Sequence, residues 1–196
     1  MVELILVRHG ETCDNQRGAF LGWTDPELNE TGLGMAHAIR EKLANNSLNA
    51  IFSSPLKRAF QTARIINEIN HIEIQTLEAL KERNFGLWDN LTLADIRASY
   101  PTEARLWLNN PDYPIPDGES IEQFNRRIIV FLNELLHTYS CGRVLLVTHG
   151  GCIRTIIAHL LGLKAEDCWR FKINVGSITK LEVAENHYGF LTLLNG

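Results

Sequence analysis

The apolar positions of the chain fall into two kinds of run. Leu4–Val7, Ala50–Ser53 and Val144–Val147 are short and almost unbroken, the pattern of strands buried on both faces. Other apolar residues recur at helical spacing: Leu33, Ala36, Ile39 and Leu43; Ala59, Ala63, Ile66 and Ile69; Ile121, Phe124, Ile128, Phe131 and Leu135. Start signals sit before each. Thr31 is placed to cap the first helix, Ser54-Pro55 supplies a cap and a first-turn proline for the second, and Ser120 with Gln123 forms a capping box for the third. A fourth helix is expected from Gly151, closed by Gly162 as its C′ residue. Ile72 and Ile74 alternate with polar neighbours as a strand would. Ile178–Val183 and Phe190–Leu194 predict two more strands around a turn at Asn186–Gly189.

Strand and helix signals therefore alternate, which predicts a layered α/β fold. Two stretches depart from the rhythm. Residues 13–30 are rich in Gly and Asn and read as a loop. Residues 84–119 hold several prolines and no long periodic run, and read as an insertion or lid over a site. The expected organisation is one domain over 1–196, with 84–119 as the lid insertion.

Composition narrows the function classes. The chain is 45% apolar and 21% charged, as a water-soluble globular protein is, and its net charge of −4 argues against a general nucleic-acid or anionic-membrane surface. No apolar run approaches the roughly 20 residues of a membrane helix, and the N-terminal run is too short for a signal-peptide core. Cys13, Cys141, Cys152 and Cys168 show neither CxxC spacing nor a disulfide framework, which points to a reducing compartment. A cytoplasmic protein is expected.

The chemistry gathers at element ends. The first strand runs into Arg8-His9-Gly10, and a later one into Thr148-His149-Gly150-Gly151. Carboxyl ends of strands are where α/β proteins place ligands. Arg58 falls in the first turn of its helix, where the macrodipole already favours anions, so an anion beside it would account for a cation there. The planar guanidinium fork suits a phosphate monoester of roughly −1.5 to −2 charge. A histidine among arginines is kept neutral and nucleophilic, because its charged form is repelled. Attack on phosphorus would leave a phosphohistidine, and one carboxyl group could then serve as acid for the leaving group and as base for water. Glu82, in KERNFG, is the best placed. Taken singly, each of these motifs has an ordinary structural explanation; their joint occurrence in this order does not.

At these residues the chain resembles the histidine phosphatase superfamily, in its phosphoglycerate-mutase-like branch. The resemblance is carried by LVRHGET (6–12), Asn15, LGWTDPELNETG (21–32), SSPLKRAFQTA (53–63), ERNFGLW (82–88), PDGES (116–120) and VTHGG (147–151). It implies His9 as phosphorylated nucleophile, Arg8, Arg58 and His149 as ligands of the phosphoryl oxygens, and Glu82 as proton donor and then base. Asn15 and the Gly150 backbone N–H match further phosphoryl contacts, and Gly22 and Trp23 are expected among the substrate contacts. It implies no metal and no other cofactor, and a small phosphorylated metabolite as partner. The implied fold is α/β, a three-layer sandwich with a largely parallel central sheet flanked by helices and a small lid insertion. One departure is visible: Trp88-Asp89-Asn90 stands where the phosphatase branch often has a Trp-Glu-Gly pattern, at the edge of the lid.

The leading expectation is a metal-independent phosphomonoesterase. The alternatives are a phosphoglycerate mutase, a non-catalytic phosphate-binding module, and a metallohydrolase using His9, His149 and Glu82. The arginine pair would repel a divalent ion, which weakens the last. Enzymes of the family acting on α-ribazole 5′-phosphate share this size and motif layout, as do broad-specificity and sugar-phosphate phosphatases. Phe85, Trp88, Trp107 and Tyr113 could stack on a base, or form the lid's own core. Between Asn84 and Ser120 only Arg97 and Arg105 face Asp89, Asp95, Glu103, Asp112, Asp117 and Glu119. Such a lid is expected to repel a second carboxylate or phosphate, which favours hydrolase over mutase.

Overall fold

The computed structural model describes all 196 residues. Its centre is a six-stranded sheet of order β3-β2-β4-β1-β5-β6, with β1 Val2–Arg8, β2 Ala50–Ser53, β3 Ile74–Thr76, β4 Gly142–Thr148, β5 Ile178–Val183 and β6 Gly189–Leu193. β1 to β4 pair in parallel; β5 joins β1, and β6 joins β5, antiparallel. The sheet is thus mixed but mostly parallel.

Alternation along the strands builds the layers. Leu4, Leu6, Val144 and Leu146 face one side, against helices α6 (Ile121–Thr138) and α7 (Gly150–Leu160). Ile5, Val7, Leu145 and Val147 face the other, against α2 (Glu30–Leu43) and α3 (Lys57–Asn67). Burial on both faces is the reason these strands read as unbroken apolar runs. Two short helices, α4 (Leu93–Ser99) and α5 (Pro101–Asn109), belong to the 84–119 segment. There Trp88, Ile96, Ala104 and Ile115 close a small separate cluster. No helix is long and apolar enough to cross a membrane.

Several boundaries differ from the sequence reading. Asn29, not Thr31, caps α2, its Oδ1 accepting the Gly32 N–H at 2.8 Å. The buried stripe is then Gly32, Ala36, Ile39 and Leu43, which leaves Leu33 at its exposed edge. Ser54 is not the N-cap of α3, which begins at Lys57; its hydroxyl accepts the Leu56 N–H at 3.3 Å and lies 2.8 Å from His149 Nε2. α3 ends at Asn67, so Ile69 lies beyond it and is exposed, and β3 begins at Ile74, after Ile72. The loop at 13–30 contains one short helix, α1 (Cys13–Arg17), because Thr12 and Asn15 form a capping box and Gly18 closes it at φ 71°. The Ser120–Gln123 box and the C′ glycine at 162 are present as read.

Candidate active site

The register of β1 against β4 builds the site. Arg8 pairs with Thr148 on the neighbouring parallel strand, so the next residues, His9 and His149, emerge side by side. The His9 N–H donates to the Thr148 carbonyl at 3.0 Å, and the two imidazole centroids lie 5.1 Å apart. β2 repeats the geometry: the Ser54 N–H donates to the Val147 carbonyl, and the Ser54 Oγ lies 2.8 Å from His149 Nε2. Behind these ends, the backbone packs closely. A Cβ on Gly10 would stand 2.4 Å from the Gly32 carbonyl oxygen, so only glycine lets the loop after β1 dock on the start of α2.

His9 is buried, and its Nδ1 lies 2.7 Å from the Gly10 carbonyl. A carbonyl only accepts, so Nδ1 carries the proton and Nε2 keeps its lone pair. Burial, then the charges of Arg58 and Arg8, hold this imidazole well below its ordinary pKa. His149 is depressed in the same way by burial, Arg58, His9, Arg8 and Arg127. Its Nδ1 is buried with no partner.

Arg58 is completely buried beneath the 21–24 loop. Its Nη1 donates to the Thr24 carbonyl at 2.8 Å and its Nη2 to the Gly22 carbonyl at 2.7 Å, while Nε has no partner. Burial lowers its pKa to about 10, which still leaves it charged at neutral pH. The loop is held in turn by Asp89, whose carboxylate accepts the N–H groups of Gly22, Trp23 and Thr24 at 2.7–2.8 Å. Arg8 spends Nη1 on the Ile173 carbonyl at 2.6 Å and leaves a buried Nε unpartnered.

Glu82 faces the histidines from the chain that follows β3. Its Oε2 accepts the Gly151 N–H and its Oε1 the Arg83 N–H, both at 3.0 Å. A Cβ on Gly151 would meet Oε1 at 2.2 Å, so the second glycine of VTHGG is the condition for this approach. The strand of carbonyls around Glu82 is gathered by Arg127 of α6. It donates to the carbonyls of Ala79, Lys81 and Glu82 at 2.7–3.0 Å and takes Glu119 in a two-point ion pair. That gives the PDGES motif a place: its glutamate anchors the arginine that positions Glu82.

A cavity of about 320 Å³ opens over these groups. Arg8, His9, Asn15 and Glu82 line it; Arg58 and His149 lie behind the wall. Asn15 Oδ1 accepts from Thr12, which leaves its amide N–H groups to the cavity. Gly22 and Trp23, expected as substrate contacts, do not line it. Gly22 holds Arg58 by its carbonyl, and the Trp23 indole N–H donates to the Glu82 carbonyl at 3.0 Å, so both act on the site from outside. Gly150 is likewise behind the wall, with Gly151 in it. Trp88 is core, Phe85 and Trp107 serve both the small cluster and the wall, and Tyr113 serves neither.

Two cations in the wall, Arg83 and Arg154, escaped the sequence reading, as did Asn125, Thr155 and Trp169. They come from unconnected elements, and no spacing rule links them. The expectation of a repelling lid is corrected by the same observation. None of the six lid acids lines the cavity. Asp89 holds a loop, Asp95 caps α4 and Glu119 pairs with Arg127.

Comparison with known proteins gives the family. The profile of the histidine phosphatase superfamily (branch 1) matches residues 4–195. Phosphoserine phosphatase 1 of Hydrogenobacter thermophilus is 31% identical over 98% of this chain and 92% of its own length. A probable phosphoglycerate mutase of Yersinia pestis is 30% identical over 95% of this chain and 87% of its own. The crystal structure of α-ribazole phosphatase from Shigella flexneri superposes with a TM-score of 0.93 at 27% identity, over 99% of this chain and 96% of that one. The chain belongs to the histidine phosphatase superfamily, branch 1, and is a phosphatase.

Proposed function

We propose that this phosphatase hydrolyses a small phosphate monoester through a phosphohistidine on His9, without a metal. The observation that carries the reading is the convergence of unpartnered buried groups on one lone pair. Nε of Arg8, Nε of Arg58 and Nδ1 of His149 have no partner in the protein; the two arginines are the charges that act on the His9 imidazole, whose Nε2 is free, and the His149 ring lies 5.1 Å from it. Such donors are costly to bury unless an anion takes them up. In the first step Nε2 attacks phosphorus, the ester P–O bond breaks, and protonated Glu82 gives its proton to the leaving oxygen. In the second, the Glu82 carboxylate takes a proton from water, the water oxygen attacks phosphorus, and the P–N bond breaks. Inorganic phosphate leaves and Glu82 is protonated again. Arg8 and Arg58 offset the charge that builds on the equatorial oxygens, with Asn15 as a further donor.

Arginines at the nucleophile favour this over metal-assisted hydrolysis, because their charge repels a divalent ion. Segment 84–119, which sets Phe85 and Trp107 in the wall, serves as a lid that bounds the space for the ester's leaving group. The substrate is a small soluble ester, with α-ribazole 5′-phosphate and phosphoserine the candidates that the relatives' names supply. A mutase reading is favoured by the mutase-named relatives. Phosphate release after exhaustive chelation, from a panel of esters that includes α-ribazole 5′-phosphate, tests the proposal. Activity that vanishes with the chelator, or primer-dependent interconversion of phosphoglycerates faster than any hydrolysis, would overturn it.

A further inference from the structure

Two imidazoles stand side by side at the strand ends, their centroids 5.1 Å apart, and the reaction above uses the lone pair of only one. The partner that each ring already has separates them. His9 Nδ1 meets the Gly10 carbonyl, which leaves the Nε2 lone pair free. His149 is engaged the other way round: its Nε2 lies 2.8 Å from the Ser54 Oγ, and its Nδ1 is buried without a partner.

Counting donors decides which nitrogen of His149 carries the hydrogen. Ser54 is fully buried, and its Oγ accepts the Leu56 N–H at 3.3 Å. The hydroxyl hydrogen needs an acceptor of its own, because a buried O–H without one is costly. The only other hydrogen bond of Ser54 Oγ is the one to His149 Nε2, so the hydroxyl donates there. The reverse arrangement, with Nε2–H donating to Oγ, would leave the hydroxyl hydrogen with no acceptor. A neutral imidazole whose Nε2 accepts has its hydrogen on Nδ1. Burial, and then the charge of Arg58, keeps this ring neutral at neutral pH.

We infer that Ser54 is a positioning residue that assigns opposite roles to the two histidines by holding His149 in its Nδ1–H tautomer. This role rests on the phosphatase reading of the same site and deepens it. Both rings carry their hydrogen on Nδ1, but only His9 keeps a bare Nε2 for attack on phosphorus. His149 has its one lone pair taken by the hydroxyl, so it cannot compete as nucleophile. What it has left to offer is the Nδ1–H, a neutral donor for a phosphoryl oxygen. Sheet register places the serine. Ser53 pairs with Val147, and the Ser54 N–H donates to the Val147 carbonyl at 3.0 Å, two residues before His149. The second serine of SSPLKRA, which reads in sequence as a helix cap, thus serves the neighbouring strand end.

Long-range nitrogen–proton correlation NMR, on protein isotope-labelled in its histidine rings, reads the tautomer directly, with His149→Gln assigning the signal. At about pH 8 the parent should show Nδ1 protonated and Nε2 bare. In Ser54→Ala neither nitrogen of His149 has a partner, so the Nε2–H form should appear as well. Its kcat/KM for para-nitrophenyl phosphate should fall by about 10-fold, the scale of one neutral hydrogen bond. A parent signal protonated on Nε2, alone or together with Nδ1, overturns the assignment, and that measurement needs no variant to fold. Ser54→Ala protein that keeps the Nδ1–H form alone overturns the role of Ser54, since any loss of turnover would then be structural. Unchanged kcat/KM in the variant overturns it too. Failure of the parent to release phosphate from any ester overturns the reaction, while the spectrum still decides the tautomer.

Discussion

The strand-end site and the 84–119 segment are built by different means, although they share one cavity. Arg8, His9, Ser54 and His149 are set by the pairing of β1, β2 and β4, strands buried on both faces between clusters of 22 and 11 core residues. Their positions follow from sheet register, which a one-residue slip would disrupt along the whole strand. The 84–119 segment rests on four buried residues, Trp88, Ile96, Ala104 and Ile115, with partly buried aromatics around them. It is tied to the rest by a few polar contacts, among them Asp89 on the 22–24 loop and Arg83 on the Glu119 carbonyl. The strand-end part of the chemistry is thus placed on the sheet, and the outer wall of the cavity on a smaller unit that reaches the site only through Asp89 and Glu119. Local stability differs in this way within many folds, and binding segments are drawn from the weaker end.

The largest expected effect comes from the stiff half. His9→Ala should lower turnover at least about 1,000-fold, since a lost nucleophile leaves only binding and charge stabilisation. The fold is expected to survive, because the buried His9 side chain lines the cavity and is not part of the hydrophobic core. Rapid quench of the parent enzyme should trap phosphate on His9, labile to acid and stable to alkali. Phosphate on a serine or aspartate would remove His9 from its role, and with it the claim that register sets the chemistry.

Glu82→Gln comes next. Esters with poor leaving groups should slow by about 100-fold, the ordinary scale for a lost general acid. Aryl phosphates, whose leaving groups need little protonation, should lose less in the phosphorylation step. Glu82 is reached through Arg127 and Glu119, so it also probes where the two regions join. Equal losses on both ester types, with phosphorylation rate-limiting, would move the proton role elsewhere.

The two halves also differ in how far the sequence discloses them. LILVRHG and VLLVTHGG each carry strand, strand end and functional residue in one local run, so fold and chemistry are read together. The meeting of His9 with His149 needs only that two such strands be parallel neighbours. Glu82 was found from chemical need, while its support was not. Arg127 lies 45 residues away on a helix whose periodic face explains its neighbours without it. Arg83 was hidden in a charged run, Lys81-Glu82-Arg83, that reads as a solvated face. Arg154 sits inside an apolar helix, and nothing local says that it faces the cavity. Counting lid charges failed for the same reason: sign is legible in sequence, and direction is not.

Acid should act on the site through its imidazoles. Burial and then the nearby arginines, with Arg58 first among them, hold His9 and His149 below their ordinary pKa. In the unfolded chain both bind a proton as pH falls through about 6.5, while in the folded chain they do so only at lower pH. Below that value the unfolded state binds more protons. Stability should therefore be complete above pH 6.5 and fall as pH drops, by up to about 1.4 kcal/mol per pH unit for each histidine. Urea unfolding of the parent and of His149→Gln at pH 8, 6.5 and 5 measures this. The variant should lose less stability on acidification, and an unchanged slope would show that His149 is protonated in the fold.

The smallest effect on turnover, and the sharpest test of the contrast, is one truncation made twice. Leu146 is fully buried in the large core on β4, and Ile96 is fully buried in the small cluster. Cutting a large aliphatic side chain to alanine in a packed core costs about 2–5 kcal/mol. In Leu146→Ala that cost falls on the cooperative unit that contains the sheet, so the whole-protein urea midpoint should drop. In Ile96→Ala it falls on a cluster of four buried residues, whose own stability is too small to bear it. The 84–119 segment should then open locally, with faster amide exchange confined to it, while the midpoint moves little. Turnover should fall but persist, because Arg8, His9 and His149 are held at strand ends, while Arg58 and Glu82 lose only the indirect support of Asp89 and Glu119. KM should rise a few-fold as Phe85 and Trp107 leave the wall. An Ile96→Ala midpoint that falls as far as that of Leu146→Ala would mean that segment and sheet unfold as one. The division between a rigid chemical half and an adjustable outer wall would then have no energetic basis.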